Sequence, residues 1–275
     1  MKNLINYFNS APDFHRVLLL SFSFFLFWNI EYFYEHAKNK VSHLWLNAKF
    51  MLTAAPVQFV LGYLMNFVLK WTQNHEFGLF HQIQKVNALT LFILTFLYLD
   101  FCEYAYHLLM HKVKKLWKFH LVHHADKQLD VSTTLREHPG ETTIRLLFTT
   151  LWVFWGGVSL WALIFRQFIQ IFSNVLAHTE VRLPEKVDSW LSYLFVTPNF
   201  HHVHHHYLQP YTDTNYGDVL SIWDRIFGTF AQLPKEAVVF GVDTHFDECN
   251  LNTFSKLLTI PLISDKSSEK INMKG

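Results

Sequence analysis

The chain has 275 residues; 51% are hydrophobic, 17% aromatic and only 16% charged, where a soluble domain carries roughly 25% charged residues. A formal net charge of +1 removes the electrostatic case for nucleic acid, and two cysteines, Cys102 and Cys249, supply neither a disulfide framework nor a zinc-ribbon spacing. Scarce charge together with 28 phenylalanines points to an all-α protein of the bilayer.

The predicted elements follow in chain order. Residues 1–14 lack a signal-peptide cleavage pattern, so the first apolar run is expected to stay in the protein. About 20 apolar residues cross the hydrocarbon core, and residues 17–34, 50–71 and 88–106 each qualify. Asp100 and Glu103, near the end of the third run, are costly in lipid and are expected to face protein. Residues 112–124 alternate basic and apolar side chains and read as an amphipathic helix at the interface. The fourth apolar stretch, 144–175, is either one long tilted helix or a hairpin of two short ones, broken at Gly156-Gly157 or near Arg166. Beyond His206 the chain becomes ordinary and polar, and residues 266–275 read as a frayed tail. The whole is expected to be one membrane domain of four to five spans, with a helical cap formed by 107–143 and 178–265.

Twelve of the 18 histidines fall between His107 and His206. They form three runs: His107-Leu-Leu-Met-His111, His120-Leu-Val-His123-His124, and His201-His202-Val-His204-His205-His206. Spacings of three and four place imidazoles on one helix face, and neutral imidazole is a ligand for iron, zinc and copper. If the runs share a site, they lie on one side of the membrane. The fourth stretch must then go in and come back, so a hairpin is predicted, and it delivers His178 to the same side. Lys112, Lys114, Lys115, Lys118, Lys127 and Arg136 lie among the runs, and Lys38, Lys40 and Lys49 lie in the loop after the first span. By the positive-inside rule that side is expected to be cytoplasmic; the membrane itself is expected to be a bacterial inner membrane.

Nine imidazoles are too many for one ion, since zinc takes four ligands. Two metals are predicted to share His107, His111, His120, His123, His124, His178, His201, His204 and His205. Glu103 stands four residues before His107, with Asp100 one turn earlier, so both are candidates to accept the outer ring N–H of a ligand. His138, Glu141, His202, Asn215 and Asp224 are further candidates for that supporting role. His138 could equally be structural, and His202 and His206 either support ligands or are exposed. His15, His36, His43, His75, His81 and His245 are assigned no metal role.

The order H-x-x-x-H, H-x-x-H-H, a lone His, then H-x-x-H-H resembles the fatty acid hydroxylase/sterol desaturase superfamily. Asp100-Phe101, Thr197-Pro198, Asn215-Tyr216-Gly217 and the run Trp223 to Phe230 agree with it, and the likeness covers about residues 97–241. The stretch His178-Thr179-Glu180-Val181 looks most like the branch holding alkylglycerol monooxygenase and its bacterial relatives. The resemblance implies an integral membrane, non-haem di-iron enzyme that uses O₂ and two electrons to hydroxylate or desaturate a lipid. It carries the nine histidines over as ligands. Two positions depart from the common pattern: Leu108 and His202 stand where many relatives have Arg. Zinc would also satisfy an imidazole set. With no G-x-G-x-x-G and too few cysteines for an iron–sulfur cluster, electrons are expected from a separate partner: a reduced pterin, or a ferredoxin or cytochrome system. Two rivals fit less well. A zinc-dependent membrane hydrolase would want H-E-x-x-H, which is absent. A metal transporter would place its site near the bilayer midplane, whereas these histidines begin at a helix end.

Overall fold

The computed structural model describes residues 21–22, 25–29, 31, 40–83, 86–243 and 253–262. The predicted first span lies largely outside the described residues, and the 266–275 tail, His15, His36 and His245 lie wholly outside them. The protein is all-helical: among the described residues only two isolated bridges occur, Phe195 with Leu220 and His206 with Phe240. Its main helices are α1 (Lys40–Asn74), α2 (Ala88–Lys112), α3 (Lys114–His124), α4 (Pro139–Gly156), α5 (Leu160–Ala177), α6 (Glu185–Leu191), α7 (Pro198–His204), α8 (Ile222–Phe227) and α9 (Phe254–Thr259). Among the described residues three regions are long and apolar enough to cross a membrane: Val41–Gln82, Ala88–Lys112 and Leu160–Ala177.

Helix α1 runs farther than the apolar run within it. Lys40 and Lys49, expected in a loop, are helical. At 1.5 Å per residue its 35 residues reach about 52 Å, against a hydrocarbon core of roughly 30 Å. Its first turns therefore stand outside the bilayer, where His43 and Asn47 meet Asp126, Asp130 and Ser132. Lower down, Phe59, Tyr63 and Phe67, spaced by four, are each about two-thirds exposed and present one lipid-facing stripe.

The 144–175 stretch resolves into α4 and α5, joined at Gly157. That residue has φ 62° and caps α4, its N–H donating to the Val153 and Phe154 carbonyls. Of the two break points left open by the sequence, Gly156-Gly157 is the one used. Arg166 lies inside α5, buried and paired with Asp218 at 2.6 Å and Asp100 at 3.5 Å. Glu141 at the start of α4 touches His120, and His178 at the end of α5 touches His123 and His201, so the pair leaves the site and returns to it. At the far end this turn packs on the one that follows α1. A Cβ on Gly78 (φ 112°) would sit 2.3 Å from Gly157 N, so only glycine fits the contact.

Two apolar clusters hold this arrangement. Met65, Leu69, Leu99, Val153 and Leu163 join α1, α2, α4 and α5 in the membrane half. Phe50, Leu121, Val122, Leu257 and Ile260 join α1, α3 and α9 under the cap.

Candidate metal centre

Four elements bring the histidines together. His107 and His111 end α2, His120, His123 and His124 end α3, His178 caps α5, and the last run forms α7 with His205 as its C-cap. Pro198 at the first position of α7 and Thr197 capping it, with its side chain accepting from Phe200 N, start that helix sharply. Among the described residues the nine imidazoles fall into two groups. His107, His111, His120, His124 and His204 form one; His123, His178, His201 and His205 form the other. Within each group one ring nitrogen per residue lies within 4.8 Å of all the rest. The groups adjoin, the rings of His124 and His205 stacking at 4.4 Å.

The outer hydrogen bonds decide which way each lone pair points. His107 Nδ1 donates to the Tyr216 carbonyl at 3.0 Å, His178 Nδ1 to the Asn174 carbonyl at 2.8 Å, and His204 Nδ1 to the Thr214 carbonyl at 2.7 Å. His120 Nδ1 meets a Glu141 carboxylate oxygen at 2.7 Å. A carbonyl can only accept, so the proton sits on Nδ1 and the Nε2 of these rings carries a bare lone pair. Yet His107 Nε2 and His120 Nε2 are 3.1 Å apart, and His178 Nε2 is 3.1 Å from that of His123 and 3.0 Å from that of His201. His204 Nε2 and both nitrogens of His124 are buried with no partner. Facing lone pairs repel unless a cation lies between them. Two nitrogens bound at right angles to one ion, each at about 2.1 Å, lie about 3.0 Å apart. The residues present therefore fit a metal in each group.

Burial also favours the neutral form, which is the form that binds metal, in six of the nine rings. It holds His123, His124, His201 and His205 well below the ordinary imidazole range, reinforced by neighbouring imidazoles. It lowers His178 to about 4 and His204 to about 3, against the opposing pull of their carbonyl partners.

The supporting candidates divide. Glu141 takes the expected place on His120 and is itself held by Arg145 at 3.2 Å. Asp100 and Glu103 do not accept from a histidine. Asp100 takes the N–H groups of Val219, Leu220 and the Trp223 indole. Glu103 pairs with Arg145 at 3.7 Å and Arg166 at 4.0 Å. Helical spacing gave their face, but the Tyr216 carbonyl holds the position beside His107. Asp224 accepts from the backbone N–H of Tyr216 and Gly217 and so fixes that carbonyl at one remove. Asn215, at φ 56°, ties Phe200 to Ala231 rather than touching an imidazole. His138 caps α4, accepting from Gly140 N while its Nε2 donates to the Leu258 carbonyl. His202 and His206 are buried rather than exposed. The first donates to the Thr179 carbonyl and the second accepts from Val239 N. His43 stands outside both groups, between Asp126 and Asp130. Sequence reasoning missed Arg145, which meets Glu103, Glu137 and Glu141 together, and Asp213, 3.4 Å from His111 Nδ1. An arginine four residues after a candidate carboxylate was the available signal for Arg145. A cavity of about 60 Å³ opens beside the histidines, lined also by Glu137, Glu141 and Arg145.

Two adjoining groups of imidazoles that could each hold a metal, gathered from the ends of two candidate spanning helices and from two short helices beside them, mark an all-helical membrane protein with a candidate metal centre built from histidine alone. The fatty acid hydroxylase family model matches residues 92–229, half of the chain, and the chain belongs to that family. Alkylglycerol monooxygenase of Homo sapiens is 33% identical over 168 residues, which is 59% of this chain and 34% of that protein. The Caenorhabditis elegans alkylglycerol monooxygenase is 32% identical over 162 residues, 58% of this chain and 30% of the relative. An ornithine lipid hydroxylase of Rhizobium tropici is 31% identical over 136 residues, 50% of this chain and 40% of the relative. The chain thus spans about a third of the length of the alkylglycerol monooxygenases it matches. No solved structure matches it.

Proposed function

We propose that the chain is a membrane-bound, non-haem di-iron oxygenase that hydroxylates a C–H bond of a bilayer lipid. His107, His111, His120, His124 and His204 hold one iron, and His123, His178, His201 and His205 hold the other. Bound iron supplies the oxygen activation and hydrogen removal for which this site has no side chain. The reaction balances as C–H plus O₂, two electrons and two protons giving C–OH and water. The observation that carries this reading is the set of nine imidazoles in two metal-sized groups, with an outer acceptor on Nδ1 of His107, His120, His178 and His204, in a chain of the fatty acid hydroxylase family. The relatives' names, alkylglycerol monooxygenase and ornithine lipid hydroxylase, support a lipid substrate.

The protein's own groups bind, orient and shelter. Glu141 and the Tyr216, Asn174 and Thr214 carbonyls keep each Nδ1 proton outward. The spanning helices present the lipid, and a separate donor, a reduced pterin or a ferredoxin or cytochrome system, delivers the electrons. Lys114, Lys115 and Lys127 are exposed on the side that carries the site, which supports a cytoplasmic orientation.

Metal analysis of the purified protein is expected to give about two irons per chain, falling to about one in His123→Ala and in His204→Ala. Cells expressing the protein under ¹⁸O₂ are expected to accumulate a lipid carrying one labelled hydroxyl. A metal content unmoved by both substitutions, or hydroxyl oxygen that comes only from water, would overturn the assignment.

A further inference from the structure

Glu31 is the one acidic residue of the apolar stretch 17–34, and it is fully buried. An ionisable side chain in such a stretch is costly unless it is hydrogen-bonded, and its presence there points to a task. Its Oε1 accepts two backbone hydrogen bonds, from Val131 N at 3.1 Å and from Glu180 N at 2.8 Å. One turn earlier on the same helix face, Phe27 clusters with Val131 and Val175 and meets the Phe172 ring at 5.4 Å.

The two N–H groups belong to segments that each follow a histidine of the metal centre. Glu180 stands two residues after His178, just past the end of α5. Val131 belongs to a cross-linked segment behind His123. There Arg136 Nε donates to the Val122 carbonyl at 2.9 Å, and Thr133 donates to Asp126 at 2.8 Å. His43 of α1 also meets Asp126, at 2.8 Å. Residues 126–136 are thereby fixed to the end of α3. His123 Nε2 and His178 Nε2, 3.1 Å apart, thus sit on the two pieces that Glu31 joins. Thr179, between His178 and Glu180, accepts from His202 on its carbonyl, so the same tie reaches α7, which carries His201 and ends at His205.

We infer that Glu31 is a positioning residue for the four-histidine group. It holds the end of α5 against the end of α3 through two backbone N–H groups, so that His178 and His123 meet around one ion. The five-histidine group takes no residue from α5, so the tie acts on one group and not on the other. Glu31 lies outside residues 92–229, the part that the family model matches, so this support comes from beyond the family's own domain. The inference rests on reading the two groups as metal sites.

Purified full-length protein, stripped of metal, is titrated with cobalt(II) against a chelator. In His204→Ala only the four-histidine group stays complete, and in His123→Ala only the five-histidine group does. Glu31→Ala orphans two buried N–H groups. Added to His204→Ala, it is expected to weaken cobalt binding about tenfold, the lower end of the range for outer partners of a ligand, because Glu31 acts through the backbone. Added to His123→Ala, it should leave cobalt binding unchanged. Glu31→Gln keeps an accepting oxygen at the same reach and should restore most of the loss. Glu31→Asp keeps the charge but withdraws the oxygen by one carbon–carbon bond, about 1.5 Å, and should lose nearly as much as Glu31→Ala. Leu69→Ala, in the membrane-half cluster, lowers stability without touching the tie and should leave the ratio between the two groups unchanged. An equal loss in both histidine backgrounds overturns the positioning role, and so does a Glu31→Asp variant that binds like the parent while Glu31→Gln does not. Cobalt binding that neither His204→Ala nor His123→Ala alters overturns the metal centre itself, and the role of Glu31 with it.

Discussion

At the scale of single residues, the centre depends on protons that never face it. Glu141 fixes His120 by accepting a hydrogen bond from its Nδ1, and the contact is short, buried and strengthened by Arg145. Such outer partners typically change metal affinity 10–100-fold when removed. Glu141→Ala is therefore expected to weaken metal binding in the five-histidine group by that factor, measured by chelator competition, while Glu141→Gln, which can still accept through its carbonyl, loses less. Equal losses in the two variants would reduce Glu141 to a packing role. The same scale explains what could be read in advance. Imidazole spacing exposes itself in sequence because a helix repeats, so the gathering of the eight histidines in the three runs was legible, whereas His178 stands alone and was reached only through the hairpin. The partners of His107, His178 and His204 are backbone carbonyls. Every residue has one, so no residue type announces them. Asp100 and Glu103 were placed on the correct side of α2, but what stands across from that side comes from residues 216–223, more than a hundred positions later.

At the scale of elements, two turns far from the histidines set where the helices end. Gly78 and Gly157 meet backbone to backbone with positive φ at both. Gly78→Ala places a Cβ 2.3 Å from Gly157 N in a conformation that itself costs about 1–3 kcal/mol for a side chain. It is expected to lower the melting temperature of the purified protein by several degrees and to loosen metal binding, because α5 then no longer holds His178 in place. Gly62→Ala is the control. It lies on α1 with nothing within 4 Å of the new Cβ, so helix propensity favours it slightly. Matching melting temperatures for the two variants would show that the turn contact is dispensable. The hairpin was legible because all the histidines had to share one side. The upper turns of α1 were not: Lys40 and Lys49 look like loop residues, and only the contact of His43 and Asn47 with the 126–132 segment explains why the helix continues.

At the scale of the whole molecule, the bundle wraps a cluster of bases and keeps them uncharged, and this makes stability depend on pH. An unfolded chain takes up a proton on each imidazole near pH 6.5. In the folded metal-free protein His178 resists until about 4 and His204 until about 3, and burial lowers His123, His124, His201 and His205 in the same direction. The folded-state values are depressed, so between these limits the unfolded state binds more protons than the folded one. Stability therefore rises with pH across that interval. It is fully present above about 6.5 and is lost as pH falls toward 4. Metal-free protein is expected to melt several degrees lower at pH 5.5 than at pH 7.5, with little change between 7.5 and 8.5. Metal-loaded protein should resist down to the pH at which protons displace the ion, and then lose metal and stability together. Six buried rings act in one direction, so replacing one of them, as in His204→Ala, should reduce the slope without removing it. A melting temperature that stays flat from pH 7.5 to 5.5 would mean that the imidazoles are open to water in the metal-free protein, and that the helices close around the centre only when metal binds.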